Sequence, residues 1–435
     1  MKNNLTLKRL QLSLIHIAVA MTLVPIQSTL NRVMIKELAL SASLVALLAS
    51  LPYLFSPIQV AIGSYSDRHP IFGFRRSPYI LLGLVCCAVG VALAPYAAFL
   101  LKEQWAVGLG LSVLAFGAWG MGFNFATVSY FSLASEISGE KGRSRTIAIM
   151  FFLMILSIIF TAVGLSNLLE HFSPETLTRA FWLVAGVALV LGLLGLIGLE
   201  ERFAAASGAE RMSWVAVTKT LVGNRQALLF FIYLVLMLAA ILGQDILLEP
   251  FAGQAFSLEV KETTRITSIW GTCTLLCLLV AGALEGRVDK RLIVKLGSWG
   301  ATVAFATIVL SGLISSKEVF YVGVMLLGLA TGLATVSNLS LMLDMTTPTG
   351  VGMFIGAWGM ADAVARLVGN LVSGVIRDVV AQFAQSPVSG YLVVFGLEAA
   401  MLVASLCILR YLDVRAFRQN TEALSVIERM ALTNE

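Results

Sequence analysis

The chain has 435 residues, of which 58% are hydrophobic and 13% charged. A soluble domain carries about a quarter charged residues, so this composition excludes a soluble globular surface and implies an integral membrane protein. The net charge of +5 sits in loops between apolar runs, which argues for a lipid bilayer as partner and against nucleic acid.

The N-terminus places Lys2, Lys8 and Arg9 before a long apolar run. That run exceeds a signal-peptide core and lacks a small-residue cleavage site, so it reads as the first spanning helix. A crossing helix needs about 20 mainly apolar residues. Twelve runs qualify: 11–35, 41–64, 77–100, 105–133, 145–170, 178–199, 226–249, 265–284, 292–313, 318–343, 350–381 and 388–410. The long polar connection, with EERFAAASGAERMSW, divides them six and six. The expected domains are a six-helix bundle over 1–199, a linker over 200–225, a second bundle over 226–410 and a tail over 411–435. Lys and Arg crowd alternate loops, which predicts cytoplasmic N- and C-termini with a cytoplasmic linker and tail. Among the loops read as cytoplasmic, the tenth-to-eleventh connection, TTPTGVG, is the one without a basic residue.

Residues 126–136, ATVSYFSLASE, return at 334–344 as ATVSNLSLMLD, an offset of 208. Ala126/Ala334, Thr127/Thr335, Val128/Val336, Ser129/Ser337, Ser132/Ser340 and Leu133/Leu341 are identical, and Gly142/Gly350 extends the register. An offset near half the chain reads as an internal repeat. Two six-helix halves with both ends inside resemble the major facilitator superfamily, so the expected fold class is an all-α, twelve-transmembrane-helix protein of two pseudo-repeats. That family's second loop carries Gly-x-x-x-Asp-Arg and then basic residues. Here Gly63, Asp67 and Arg68 are followed by Arg75 and Arg76, and the equivalent second-half loop holds Gly282, Glu285, Arg287, Asp289 and Arg291. Glu136 and Asp344 close the fourth and tenth helices on the same side. Together these predict a cytoplasmic gate of acids and bases that meet in one state and part in the other.

Polar groups at membrane depth are costly and carry functional hypotheses. In the eleventh helix Trp358, Asp362, Arg366 and Asn370 recur every four residues and share a face. Asp362 and Arg366 pair at i,i+4. The stripe either lines a cavity or fixes packing between the halves. His16, Gln27 and Asn31 fall on one face of the first helix at 100° per residue. The imidazole could ligate a chlorin magnesium, relay protons, or simply bond a neighbouring helix. The seventh helix ends in Gln244, Asp245 and Glu249, mirroring the acid Glu37 at the end of the first. These either cap helix ends among headgroups or rim a central cavity. Cys86, Cys87, Cys273, Cys277 and Cys407 lie in apolar runs and read as buried hydrophobes. No metal site, phosphate-cradling loop or nucleophile elbow is written in the sequence, so no enzyme is expected.

Three strings carry a closer resemblance: TLNRVMIKEL, SDRHPIFGFRRSPYI and QDILLEPFAGQAFSLEVKETTRITSIWGT. They resemble the bacteriochlorophyll-delivery branch of the major facilitator superfamily, the PucC-type light-harvesting-complex assembly proteins. The resemblance implies a role in photosynthesis, handing chlorophyll or bacteriochlorophyll, held as cargo, to light-harvesting or photosystem apoproteins. It implies residence in an inner or photosynthetic membrane, intracytoplasmic or thylakoid. A pigment site needs one axial ligand, for which His16, Gln27, Asn31 and Gln244 are candidates. Trp119, Phe123, Trp270, Trp299 and Trp358 are candidates for stacking on a macrocycle. The alternative is a proton-coupled secondary transporter of a small solute working through Asp245, Asp362 or Glu398. A third reading is a scaffold that keeps the fold and moves nothing.

Overall fold

The computed structural model describes residues 2–202, 225–284, 288, 290–344 and 351–412, which form twelve helical passes. The expected linker and tail fall mainly outside the described residues.

α1 is Lys2–Met21 and continues through two π-helical turns, Pro25–Leu30 and Val33–Glu37. α2 is not the single helix that hydropathy predicts. It is broken into Ala42–Ala49, Leu51–Leu54 and Ile58–Arg68. Pro52 and Pro57 lie at the breaks, and proline removes a backbone donor and crowds the preceding turn. α3 is Ser77–Glu103. α4 (Trp105–Gly139) and α5 (Arg145–Leu168) belong to one run in which only Gly139 leaves helical geometry, at φ 63° and ψ 176°. The expected loop between them is therefore mostly helical, and the bend rests on a conformation that favours glycine.

α6 is Pro174–Leu196, started by Ser173, whose hydroxyl accepts from the Thr176 amide. α7 is Arg225–Gly243, followed by a 3₁₀ turn at Gln244–Ile246 and a short helix at Leu248–Ala255. The expected span to 249 is thus interrupted at Gln244. α8 (Val260–Leu284), α9 (Lys290–Leu313), α10 (Lys317–Asp344), α11 (Val351–Ala384) and α12 (Pro387–Leu409) complete the described chain. Ten of the helices are long and apolar enough to cross a membrane. The other two passes are the broken α2 and the charge-bearing α11.

Glycines set the closest approaches. A Cβ on Gly83 of α3 would lie 2.5 Å from the Ala126 nitrogen of α4. A Cβ on Gly297 of α9 would lie 2.9 Å from the Ala334 nitrogen of α10. Ala126 and Ala334 are matched positions of the internal repeat, and both are fully or nearly buried. The repeated stretch therefore marks where each half lets two helix backbones touch, as small residues permit in membranes.

At one end, here called the basic-loop end, a set of contacts ties the first half together. Glu136 takes Arg76 at 3.1 Å and Arg75 at 3.5 Å. Glu200 accepts from the backbone amides of Arg75, Arg76 and Ser77, and Lys8 pairs with Glu201 at 2.8 Å. At the opposite, far end the halves are stitched together. Ser166 donates to the Lys261 carbonyl at 2.8 Å, and Lys261 pairs with Glu170. Asp378 of α11 accepts from Ala42 N at 3.0 Å, Ser43 N at 2.8 Å and Ser43 Oγ at 2.7 Å. A carboxylate at the first turn of α2 satisfies amides that lack helical partners and meets the positive end of the helix.

Candidate functional site

The site lies where α1, α2, α7 and α11 meet. Three of these four leave α-helical geometry there. The π-helical turn Pro25–Leu30 packs against the 3₁₀ turn Gln244–Ile246, and that turn also touches α11 and the start of α2. Irregular backbone at membrane depth is tolerated where it is enclosed by protein or lines a cavity, and π turns gather at functional sites.

The polar residues form a connected set. Gln27 donates its amide to the Tyr53 hydroxyl at 2.7 Å. The Tyr53 ring lies under the Arg366 guanidinium, 5.5 Å from its carbon. Arg366 Nε donates to Asp362 at 3.1 Å and Nη1 to Asp245 at 3.4 Å. Gln244 Nε2 donates to the other Asp245 oxygen at 2.8 Å. One guanidinium thus serves two carboxylates, leaving the trio with a formal charge of −1. Asn370 donates to Ser50 Oγ, at the break of α2, at 3.1 Å. Asn31 donates to the Gln27 carbonyl at 2.7 Å. Three carboxamide oxygens here are buried and have no partner among the described residues: Asn31 Oδ1, Gln244 Oε1 and Asn370 Oδ1.

Toward the far end Glu249 is buried and accepts from Ser28 Oγ and from Thr267 Oγ1 at 2.7 Å. Arg32, only 1% exposed, binds Glu37 at 2.5 Å and donates to the Leu258 carbonyl at 2.9 Å. The bond between Ser28 and Glu249 and that between Arg32 and Leu258 both join the end of α1 to the segment after α7.

His16 does not belong to this set. The shared face with Gln27 assumes an unbroken α-helix, and the π turn from Pro25 breaks that phase. His16 sits instead among Tyr130, Phe131 and Phe151, with ring centroids 5.1, 5.5 and 5.3 Å away. Its ring is 4% exposed, so a macrocycle reaches it only if those rings move. Trp119 is buried and donates to Thr22 at 3.1 Å, while Trp299 is 52% exposed on the outer surface of the bundle. Both are remote from macrocycle stacking in this arrangement.

Of the expected gate, Arg75, Arg76 and Glu136 are together, and Arg68 is exposed at the end of α2. Glu285, Arg287 and Asp289 lie outside the described residues, as do the side chains of Asp67, Arg291, Asp344 and Trp358. Tyr53 and Ser50 are the site residues that sequence reasoning missed. A tyrosine beside Pro52 in an otherwise apolar helix was the available signal.

Residues 29–417 match the model of a protein family described as PUCC protein. The chain is similar to Protein PucC of Rhodobacter capsulatus, with 29% identity over 91% of this chain and 90% of that one. It is also similar to a protein of the same species named bacteriochlorophyll synthase 44.5 kDa chain, with 29% identity over 91% of this chain and 92% of the relative. Among solved structures, a point mutant of the nucleoside transporter NupG superposes with a TM-score of 0.75 at 14% identity, over 93% of this chain and 99% of the transporter. That likeness gives the fold: an all-α, twelve-helix major-facilitator architecture of two six-helix pseudo-repeats.

Proposed function

The chain belongs to the PucC protein family, and on that premise we propose that it is a membrane assembly factor that holds a chlorophyll-type pigment and passes it to light-harvesting apoproteins. The observation that carries the reading is the family match over residues 29–417. The site supports it. A magnesium chlorin needs a hard oxygen or nitrogen donor on an otherwise apolar wall, and magnesium favours oxygen. Asn31 Oδ1, Gln244 Oε1 and Asn370 Oδ1 are buried oxygens of that kind with no described partner. The pigment is cargo in this reading. The chain itself makes no bond in it and is not an enzyme, although one relative bears a synthase name.

Basic residues crowd the loops beside Arg75 and Arg76, so we place that end, with both termini, in the cytoplasm of an inner or photosynthetic membrane. The 1–199 and 226–410 bundles then act as the two rocking bodies around the site. Deletion of the protein in a phototrophic host tests the role: antenna absorption falls while pigment synthesis continues. Normal antenna levels in the deletion strain contradict it.

A second reading, proton-coupled movement of a small solute, draws on the acids Asp245 and Asp362 around one guanidinium. Proton-driven uptake by the protein in sealed vesicles would promote it over pigment delivery.

A further inference from the structure

Behind the pigment site lies an acid that the reading above does not use. Glu398 is on α12 and is 2% exposed. Ser373 of α11 donates to its Oε1 at 3.3 Å. Its Oε2 is buried and has no partner among the described residues. A cation bonded to it would make it a structural ion pair, and no such bond is found among the described residues. α7 and its 3₁₀ turn bring the acid Asp245, whose charge is already shared with Arg366. The short helix after the turn brings Glu249, bonded to Ser28 and Thr267. α11 brings the Ser373 hydroxyl and two cations with other partners: Arg366, held by Asp362 and Asp245, and Arg377, which bonds Asp378 and Gln254 and lies over the Tyr391 ring of α12. α9 carries titratable residues only near its start, at Lys290, Arg291 and Lys295.

The carboxyl also lies against the break at the end of α7. A Cβ on Gly243 would lie 3.1 Å from Glu398 Oε1, 3.2 Å from Ser373 Oγ and 3.3 Å from the Gly369 carbonyl carbon. Gly243 is the residue at which α7 gives way to the 3₁₀ turn that holds Gln244 and Asp245. The acid therefore sits against the junction of α7 and the 3₁₀ turn, in a niche kept open by the absence of a side chain.

We propose that Glu398 is a proton-binding site of the membrane interior, filled and emptied as the Gln244–Asp245 turn shifts. A buried carboxylate with one hydroxyl donor and no bonded cation is costly at membrane depth, so the group binds a proton while enclosed. It gives that proton up when movement of the turn admits water or a counter-charge. No co-reactant is needed: one carboxylate oxygen takes up and releases one proton. The inference stands independently of the pigment reading, because it concerns the junction and not the occupant.

The test is infrared difference spectroscopy of the full chain in lipid nanodiscs, stepping the buffer from acid to alkaline in H2O and in D2O. A protonated-carboxyl band is expected that shifts in D2O, titrates with buffer, disappears in E398Q and survives in E249Q. E398D, which keeps an acid, keeps such a band. In D245N the titration midpoint moves to lower pH, because a neighbouring like charge has been removed. A band unchanged in E398Q, or an E398Q-sensitive band that never titrates or exchanges, overturns the proposal. An unmoved midpoint in D245N overturns the link to the turn.

Discussion

The Arg32 guanidinium donates to the Leu258 carbonyl at 2.9 Å, across 226 residues of chain. This bond joins TLNRVMIKEL to QDILLEPFAGQAFSLEV, the two strings that look least like generic superfamily sequence. Gly253 shows how close the approach is, since a Cβ there would lie 2.9 Å from Lys36 Cδ and 3.3 Å from Arg32 Nε. The two strings thus form opposite faces of one far-end closure.

Replacing Arg32 with alanine removes a buried cation and leaves the Leu258 carbonyl without this donor. The expected cost is about 2–4 kcal/mol, read as a lower thermal midpoint in mild detergent. Glu37 is half-exposed and turns to solvent, so E37A costs less than R32A. Equal midpoints for R32A and the parent would contradict the closure.

Asp378 holds the first turn of α2 from α11 through three hydrogen bonds. D378A is expected to weaken the protein by about 1–2 kcal/mol, the range for a lost helix cap. It also loosens the join between halves, so a cysteine placed at Ser43 labels faster with a water-soluble thiol reagent. Unchanged labelling would show that the cap steadies α2 without closing the far end.

Arg366 serves Asp362 and Asp245 together, so its removal costs more than removal of either acid. R366Q is expected to be more damaging than D362N, because it leaves two carboxylates without their cation. The D362N/R366Q double change is expected to be milder than the sum of the singles by about 1–3 kcal/mol. Simple additivity in thermal stability would show that the pair carries no mutual energy.

Gly83 and Gly110 offer a matched test of packing. A Cβ on Gly83 meets the Ala126 backbone at 2.5 Å, whereas one on Gly110 meets nothing within 4 Å. G83L is expected to lower the thermal midpoint strongly, at or above the usual cost of about 1–3 kcal/mol for overpacking, while G110L leaves it within error. Similar midpoints would remove the packing explanation of the repeated stretch.

Hydropathy makes the helical passes legible, because a crossing helix writes its own composition. The i,i+4 spacing of Asp362 and Arg366 is enough to predict their pair. Asp245 joins it from 121 residues away, and no local pattern encodes such a meeting. The π turns of α1 are invisible for a different reason. They change the angular phase without changing the residues, so regular periodicity puts His16 on the face of Gln27 while the folded chain puts it among aromatic rings. The repeat at Ala126 and Ala334 is easy to see and hard to interpret. Its meaning, backbone contact opposite a glycine, needs the facing helix. Tyr53 and Ser50 escape a sequence reading because a broken α2 has no hydropathy signature, although Pro52 and Pro57 mark it.

The most direct measurement is the absorption spectrum of the full chain purified from a phototrophic host in mild detergent, set beside a variant carrying N31L, Q244L and N370L. The account predicts chlorin bands that travel with the parent protein and are lost or strongly reduced in the variant, with the variant still folded by its thermal transition. A parent protein without chlorin, or a variant that keeps the full pigment load, would contradict it.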